Sequence, residues 1–316
     1  MKYYLGIDLG GTNIKAGLID ETGAILHKRS VKTYGERPGE AIVHDMVDLC
    51  LDVCRNSGIS IRQVEAVGVG IPGTVDPPSG MIVYTNNLEL SGIPAGKMME
   101  KMLGKPVYLG NDASCAALGE YVSGSAKDYD SIVLVTLGTG VGGGIILNGK
   151  LWDGLEGAGA EIGHMVIQSG GEDCSCGRRG CWEAYSSATA LIRDTNRALE
   201  KHSDSILHAL AVAKGKVSAK TAFDAARQGD PVGLEVVNRY LFYLSEGIAN
   251  IINIFAPDAV ILGGGVCNEG NRLLIPLKEL VYPKCHGGER VRHADIQIAS
   301  MGNDAGIVGA AMLWNA

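Results

Sequence analysis

The sequence predicts an α/β protein of two similarly built domains that face one another. Three observations carry that expectation. Residues 3–32 read as strand, glycine turn, strand, turn, strand. Residues 131–152 open on the same plan, with a β-branched strand, a glycine turn and a returning hairpin. The clearest helical pattern in the chain, 231–255, runs into the strand 259–262 and a further glycine cluster, Gly263-Gly264-Gly265. Two units on one plan would each turn a glycine loop toward one phosphate chain shared between them, because glycines let successive backbone N–H groups approach an anion.

In the first unit, Tyr3 to Asp8 is a strand, Leu9 to Asn13 a turn and Ile14 to Ile19 a strand. Asp20 to Gly23 turns again and Ala24 to Lys32 returns. Residues 39–57 follow as a helix, with Ile42, Met46, Leu49 and Val53 on one face and Gly58 suited to its C-terminal cap. Val64 to Ile71 is a strand ending at Pro72-Gly73-Thr74, and 80–92 reads as a loop and short strand. Pro106 to Leu109 is a strand ending at Gly110-Asn111-Asp112, and a helix begins at Ala113. Asn111 and Asp112 thus stand at the carboxyl end of a strand, where open α/β sheets place ligands. That position suits Asp112 either as a helix N-cap or as a catalytic acid or base, and the two roles are compatible.

The second unit centres on Gly138-Thr139-Gly140-Val141-Gly142-Gly143-Gly144, which holds five glycines in seven residues. Its spacing satisfies G-x-G-x-x-G, but a dinucleotide fold needs a helix directly afterwards. Here Ile145 to Leu147, Asn148-Gly149 and Lys150 to Trp152 form a hairpin instead, and no Gly-Lys-Ser/Thr follows. Two readings are left: a glycine turn over a phosphate, or a tight hairpin without a ligand. Residues 186–229 read as mostly helical, with a turn at 214–220. Asp230 caps the long helix, Pro231 suits its first position and Pro257 stops it. The glycines at 263–265 suit either approach to a nucleotide or a plain turn. Ala305 to Trp314 reads as a short amphipathic helix.

Composition excludes several classes. The 316 residues are 46% hydrophobic and 20% charged, a globular balance long enough for two domains. The 45 glycines are clustered rather than periodic, which excludes a collagen-like chain. A net charge of −7 argues against nucleic acid or an anionic membrane as the main partner. There is no signal-like segment and no apolar run of membrane-spanning length, so a cytoplasmic protein is expected. The 8 cysteines then point to thiols or metal ligands rather than disulfides.

Four of those potential ligands are grouped. His164, Cys174, Cys176 and Cys181 form H-x9-C-x-C-x4-C, with Gly177 and Gly180 letting the loop close on one point. One imidazole and three thiolates suit tetrahedral Zn²⁺, and four protein ligands make such a site structural. The alternative is a set of unliganded thiols. Cys50, Cys54, Cys115, Cys267 and Cys285 lack such grouping and are expected to be buried as small apolar residues. Glu161 and Glu183 bracket the loop and are either surface carboxylates or groups placed to bind the hydroxyls of a sugar.

These stretches resemble the ROK family of sugar kinases and repressors over nearly the whole chain. The marks are Asp8-Leu9-Gly10-Gly11-Thr12-Asn13, the glycine turn at 138–144, Glu161-Ile162-Gly163-His164, and the run from Cys174 to Glu183. The resemblance implies an actin-like (ribonuclease-H-like) two-domain sugar kinase fold with nucleotide and sugar in the interdomain cleft. It implies a small α/β domain at 1–117, a large one with the zinc loop at 118–302, and a C-terminal helix, 303–316, returning to the first. It further implies Asp112 as catalytic base, with Asn111, Glu161, His164 and Glu183 holding the sugar and Gly73 and Asn86 lining its pocket. His164 would touch the sugar through one ring nitrogen and zinc through the other. Asp8 would face Mg²⁺, Gly10, Gly11, Thr12, Asn13, Thr139 and Gly140 would hold the phosphates of ATP, and Gly264 would approach the adenosine. Members are often dimers, so a homodimer is expected.

The repressor branch carries a winged-helix region ahead of the first motif. Here that motif begins at Gly6, and the kinase branch is expected. Within it the pattern is most similar to bacterial glucokinases, with Gly159-Ala160 standing before Glu161 where many have a second glycine. The expected activity is ATP-dependent phosphorylation of the 6-hydroxyl of glucose. The alternatives are an N-acetylmannosamine or other hexose kinase, and a catalytically silent sugar-sensing protein.

Overall fold

Strand β1 (Tyr3–Leu9) pairs antiparallel with β2 (Asn13–Asp20), which pairs antiparallel with β3 (Ile25–Lys32). The computed structural model that shows this describes residues 1–86 and 88–316, with Glu289 described by its backbone alone. Strands β4 (Val64–Ile71), β5 (Gly73–Asp76), β6 (Met81–Thr85) and β7 (Val107–Asn111) follow. The first sheet has the order β3-β2-β1-β4-β7, and β5 and β6 form a separate hairpin. β1, β4 and β7 are parallel, with Asp8 opposite Gly70 and Ile71 opposite Asn111. Their carboxyl ends therefore finish along one edge, and that edge gathers Asp8, Gly73, Asn111 and Asp112.

Helix α1 (Gly39–Ser57) buries Ile42, Met46, Leu49 and Val53 as its periodicity predicts, and Gly58 closes it at φ 73°. A loop and short strand are expected at 80–92, and the region from 80 to 105 also holds a helix. It contains β6, which pairs antiparallel with β5, and helix α2 (Ala95–Leu103), which follows Pro94 without a side-chain cap. Nine residues hold too few helical turns for periodicity to stand out. Helix α3 (Asp112–Ser123) starts where β7 ends.

Strands β8 (Ile132–Leu137), β9 (Val141–Leu147), β10 (Lys150–Leu151), β11 (Ala259–Gly263) and β12 (Asp295–Ile298) form the second sheet, in the order β10-β9-β8-β11-β12. A hairpin followed by parallel strands repeats the plan of the first sheet, as the paired motifs predict. Asn148 and Gly149, at φ 50° and 76°, turn the β9–β10 hairpin as an Asn-Gly pair does. The glycine turn is shorter than its sequence implies. Only Gly138, Thr139 and Gly140 lie between the strands, and Gly142 to Gly144 belong to β9. Gly144 serves packing, because a Cβ there would lie 2.6 Å from both the Ala113 carbonyl oxygen and the Ala117 Cβ.

The remaining helices are α4 (Glu183–Ser186), α5 (Ala188–Lys201), α6 (Leu207–Ala213), α7 (Thr221–Arg227), α8 (Pro231–Phe255), α9 (Asn271–Val281) and α10 (Ala305–Met312). In α8, Asp230 accepts from the Gly233 amide at 2.8 Å, the cap read from the sequence. Two compact units result: Met1–Leu134, Gly144–Ala160 and Ala299–Ala316 in one, and Val135–Gly143 with Glu161–Ile298 in the other. Among the described residues, no helix is long and apolar enough to cross a membrane.

Helix α10 corrects the sequence reading. It is not amphipathic, because every residue in it except Gly306 is buried. Small residues let it touch backbone rather than side chains. A Cβ on Gly309 would lie 1.6 Å from the Cys115 carbonyl oxygen of α3. Cβ atoms on Gly6 and Gly68 would lie 1.9 and 1.7 Å from the carbonyl oxygens of Ile307 and Ala310. Backbone on both sides leaves nothing to yield. Gly309→Ala is therefore expected to destabilise the protein by about 3 kcal/mol or more, read as a fall in Tm. Gly11→Ala, where a Cβ meets nothing within 4 Å, should leave Tm near wild type. Equal Tm values for the two variants would refute the close-contact account.

Candidate active site

In the first unit the chemistry gathers at the carboxyl ends of β1, β4 and β7. Asn111, not Asp112, is the N-cap of α3. Its Oδ1 accepts from the amides of Ala113 at 2.9 Å and Ser114 at 3.2 Å. Its Nδ2 donates to the Gly73 carbonyl at 3.1 Å, which joins two of the predicted sugar residues. Asp112 occupies the first helical position, half-buried, with Oδ1 accepting from the Ala113 amide at 2.9 Å. The capping role considered for Asp112 thus belongs to its neighbour. Asp8 is ion-paired with Lys15 at 3.0 Å across the β1–β2 register. Burial pushes the Cys115 thiol well up, and the charges of Asp112, Asp153 and Asp8 add to that, so the three carboxyls share one neighbourhood. Asp153 accepts from the Ser114 hydroxyl at 3.0 Å, and burial raises its pKa against the opposing effect of that hydrogen bond. Asn86 is exposed and its Oδ1 accepts from the Tyr84 hydroxyl.

The first glycine turn is held by its own backbone. The Gly10 amide donates to the Asn13 carbonyl at 3.0 Å, and the Gly10 carbonyl accepts from the Thr33 hydroxyl at 2.6 Å. Thr12 accepts at its carbonyl from the Thr33 amide at 3.0 Å, while Gly11 stays exposed. In the second unit, the Gly138 amide donates to the Gly140 carbonyl at 3.0 Å, and the Thr139 carbonyl accepts from the Thr189 hydroxyl at 2.7 Å. Gly264, at φ 90°, lies against β8, where a Cβ would meet the Leu137 carbonyl oxygen at 2.4 Å.

The second unit also binds its glycine turn to the cysteine loop. Glu183 Oε2 accepts from the Val141 amide at 2.9 Å, and its Oε1 lies 3.4 Å from the Ser175 hydroxyl. A Cβ on Gly140 would fall 2.2 Å from Glu183 Oε2, and one on Gly163 would fall 2.0 Å from the Val141 carbonyl oxygen. The glycines at these points let carboxylate and backbone close together. Trp182, fully buried, fixes the loop by donating from Nε1 to the Tyr243 carbonyl at 3.0 Å.

His164, Cys174, Cys176 and Cys181 converge as their spacing predicts, with one donor atom of each lying within 4.8 Å of all the others. Tetrahedral zinc with bonds of about 2.3 Å to sulfur and about 2.0–2.1 Å to nitrogen requires S···S near 3.8 Å and N···S near 3.6 Å. Cys176 Sγ lies 3.7 Å from Cys181 Sγ, and Cys174 Sγ lies 3.6 Å from His164 Nδ1. The donor set therefore fits zinc. A hydrogen bond from the Arg178 amide lowers the Cys176 thiol, while burial pushes Cys181 up to about 12. His164 Nε2 is turned the other way, 3.9 Å from Glu161 Oε2. The remaining cysteines, Cys50, Cys54, Cys115, Cys267 and Cys285, are free and buried, as expected.

Comparison with known proteins decides the family. Residues 4–316 match the ROK family. The chain belongs to the ROK family. The glucokinase of Thermotoga maritima is 37% identical to it over 310 residues, covering 98% of this chain and 96% of that one. Among solved structures, a ROK family glucokinase from Streptomyces griseus, crystallised with glucose and AMPPNP, shares 36% identity at a TM-score of 0.83 and covers 98% of both chains. A ROK hexokinase from Thermus thermophilus shares 32% identity at a TM-score of 0.85, covering 98% of this chain and 97% of that one. The fold is the actin-like, ribonuclease-H-like fold of ROK sugar kinases.

Three groups in this ROK chain escaped sequence reasoning. Lys15 lies opposite Asp8, and the turn length would have revealed the pair once the hairpin register was counted. Ser114 and Asp153 meet over 39 positions of sequence, and no local pattern records that contact. The departure at Gly159-Ala160 also gains a physical description. Ala160 sits at φ 60°, a left-handed conformation that glycine adopts without cost.

Proposed function

We propose that the protein is an ATP-dependent hexose kinase that phosphorylates the 6-hydroxyl of glucose, with Asp112 as general base. The observation that carries this reading is the junction of β7 and α3. Asn111 supplies the N-cap of α3, and the Asp112 carboxylate stands beside it at the first helical position, at the carboxyl end of β7. The glucokinase activity of relatives at 36–37% identity supports the substrate.

In the reaction, Asp112 takes the proton of the sugar hydroxyl as that oxygen attacks the γ-phosphorus of ATP, and the bond to the β-phosphate oxygen breaks. We assign Asn111, Glu161, His164 and Glu183 to the sugar hydroxyls, with Gly73 and Asn86 beside them. Gly10, Gly11, Thr12, Asn13, Thr139 and Gly140 are assigned to the phosphates and Gly264 to the adenosine. Asp8 is assigned to Mg²⁺, which when bound neutralises phosphate charge. His164 Nδ1 with the three cysteines would hold a structural Zn²⁺, leaving Nε2 for a hydroxyl. We further assign a homodimer.

The test is ATP consumption with a panel of glucose, mannose and N-acetylmannosamine. Glucose is expected to give the highest kcat/KM, with kcat on the order of 1–100 s⁻¹. A higher kcat/KM with N-acetylmannosamine would reassign the substrate. ATP left intact with every hexose, alongside measurable sugar binding, would favour a sensing protein.

A further inference from the structure

A string of hydrogen bonds starts at Asp153 and ends at Gly73. Asp153 Oδ1 accepts from the Ser114 hydroxyl at 3.0 Å. The Ser114 amide donates to Asn111 Oδ1 at 3.2 Å, and Asn111 Nδ2 donates to the Gly73 carbonyl at 3.1 Å. The string links the loop 153–160, the first turn of α3, the end of β7 and the start of β5. Asp112 lies inside it, between the capping residue and the Ala113 amide that both Asn111 and Asp112 engage.

The starting point of the string is itself fixed. The Asp153 carbonyl accepts from the Gly159 amide at 2.6 Å, closing the loop on its first residue. Gly154, at φ 70°, passes so near that a Cβ would lie 2.9 Å from the Gly159 Cα. Gly157 presses on β5, where a Cβ would lie 2.4 Å from the Val75 carbonyl oxygen. The Asn111 cap supplies two amide hydrogen bonds at the helix start, and the Ser114 hydroxyl adds a side-chain bond from the same turn to a carboxylate whose loop is closed on itself. Displacements of about 1 Å in a reacting group can cost about 10²-fold in rate.

We propose that Asp153 is a positioning residue of the phosphoryl transfer, acting through Ser114 to fix Asn111 and the α3 start that carries Asp112. The inference rests on the kinase reading above. Glucose phosphorylation should be measured for wild type, Ser114→Ala, Asp153→Ala, the double variant and Asp153→Asn, with thermal melts of each. Ser114→Ala and Asp153→Ala are each expected to lower kcat about tenfold, with KM for ATP within about twofold. The double variant should be no slower than the slower single variant, because both cut one link. Asp153→Asn keeps an oxygen for the Ser114 hydroxyl and should hold kcat within about threefold of wild type. Lower melting temperatures with kcat unchanged, or losses that add in the double variant, would overturn the proposal alone. Wild-type protein that phosphorylates no hexose would overturn the kinase reading, and this proposal with it.

Discussion

Asp112→Asn is expected to lower kcat by about 10²-fold or more while glucose and ATP still bind with near wild-type affinity. The substitution keeps the volume and leaves an oxygen to accept from the Ala113 amide, which Asp112 Oδ1 now does at 2.9 Å. It does not touch the cap, because Asn111 supplies that. What it removes is the ability to take a proton. Equilibrium binding by calorimetry and steady-state kinetics separate the two effects. Turnover within a few-fold of wild type would remove Asp112 from the role of base, and a loss of glucose binding equal to the loss of kcat would make it a binding group.

Cys176→Ala is expected to release zinc and to weaken glucose binding at least about tenfold while nucleotide binding persists. The effect runs through the ring of His164. Its Nδ1 lies 3.6 Å from Cys174 Sγ and its Nε2 points toward Glu161, so a metal bond at Nδ1 fixes where Nε2 faces. Without the metal the ring can turn, and the loop from Cys174 loses one of its fastenings. Glu183 keeps its hold on the Val141 amide, and Trp182 stays buried, so the glycine turn should survive. Metal analysis with separate glucose and nucleotide titrations reads each part. Complete zinc loss with glucose affinity intact would confine the metal to local stability. Loss of both ligands together would mean that the loop supports the whole unit.

Much of this protein was legible as local pattern. The long helix α8 was marked by apolar spacing, its Asp230 cap and Pro231, and all three stand in the structure. The repeated strand–glycine–strand plan foretold two sheets of matching order, because strand length and turn chemistry are recorded in short windows. The placement of Asn111 and Asp112 at a strand end followed from the same windows. So did the grouping of His164 with three cysteines, since spacing and two loop glycines bound how far the ligands can stand apart. Tertiary structure decided the rest. It gave the cap to Asn111 by turning one amide toward Gly73, and it buried all of α10 but Gly306, with backbone contacts at Gly6, Gly68 and Gly309 that only glycine permits. It also set Glu183 on the Val141 amide and Ser114 on Asp153. Periodicity and spacing act along the chain and are written in it residue by residue. Close contacts between distant backbones and side chains are set by how the finished elements pack, and a short stretch of sequence carries no record of them.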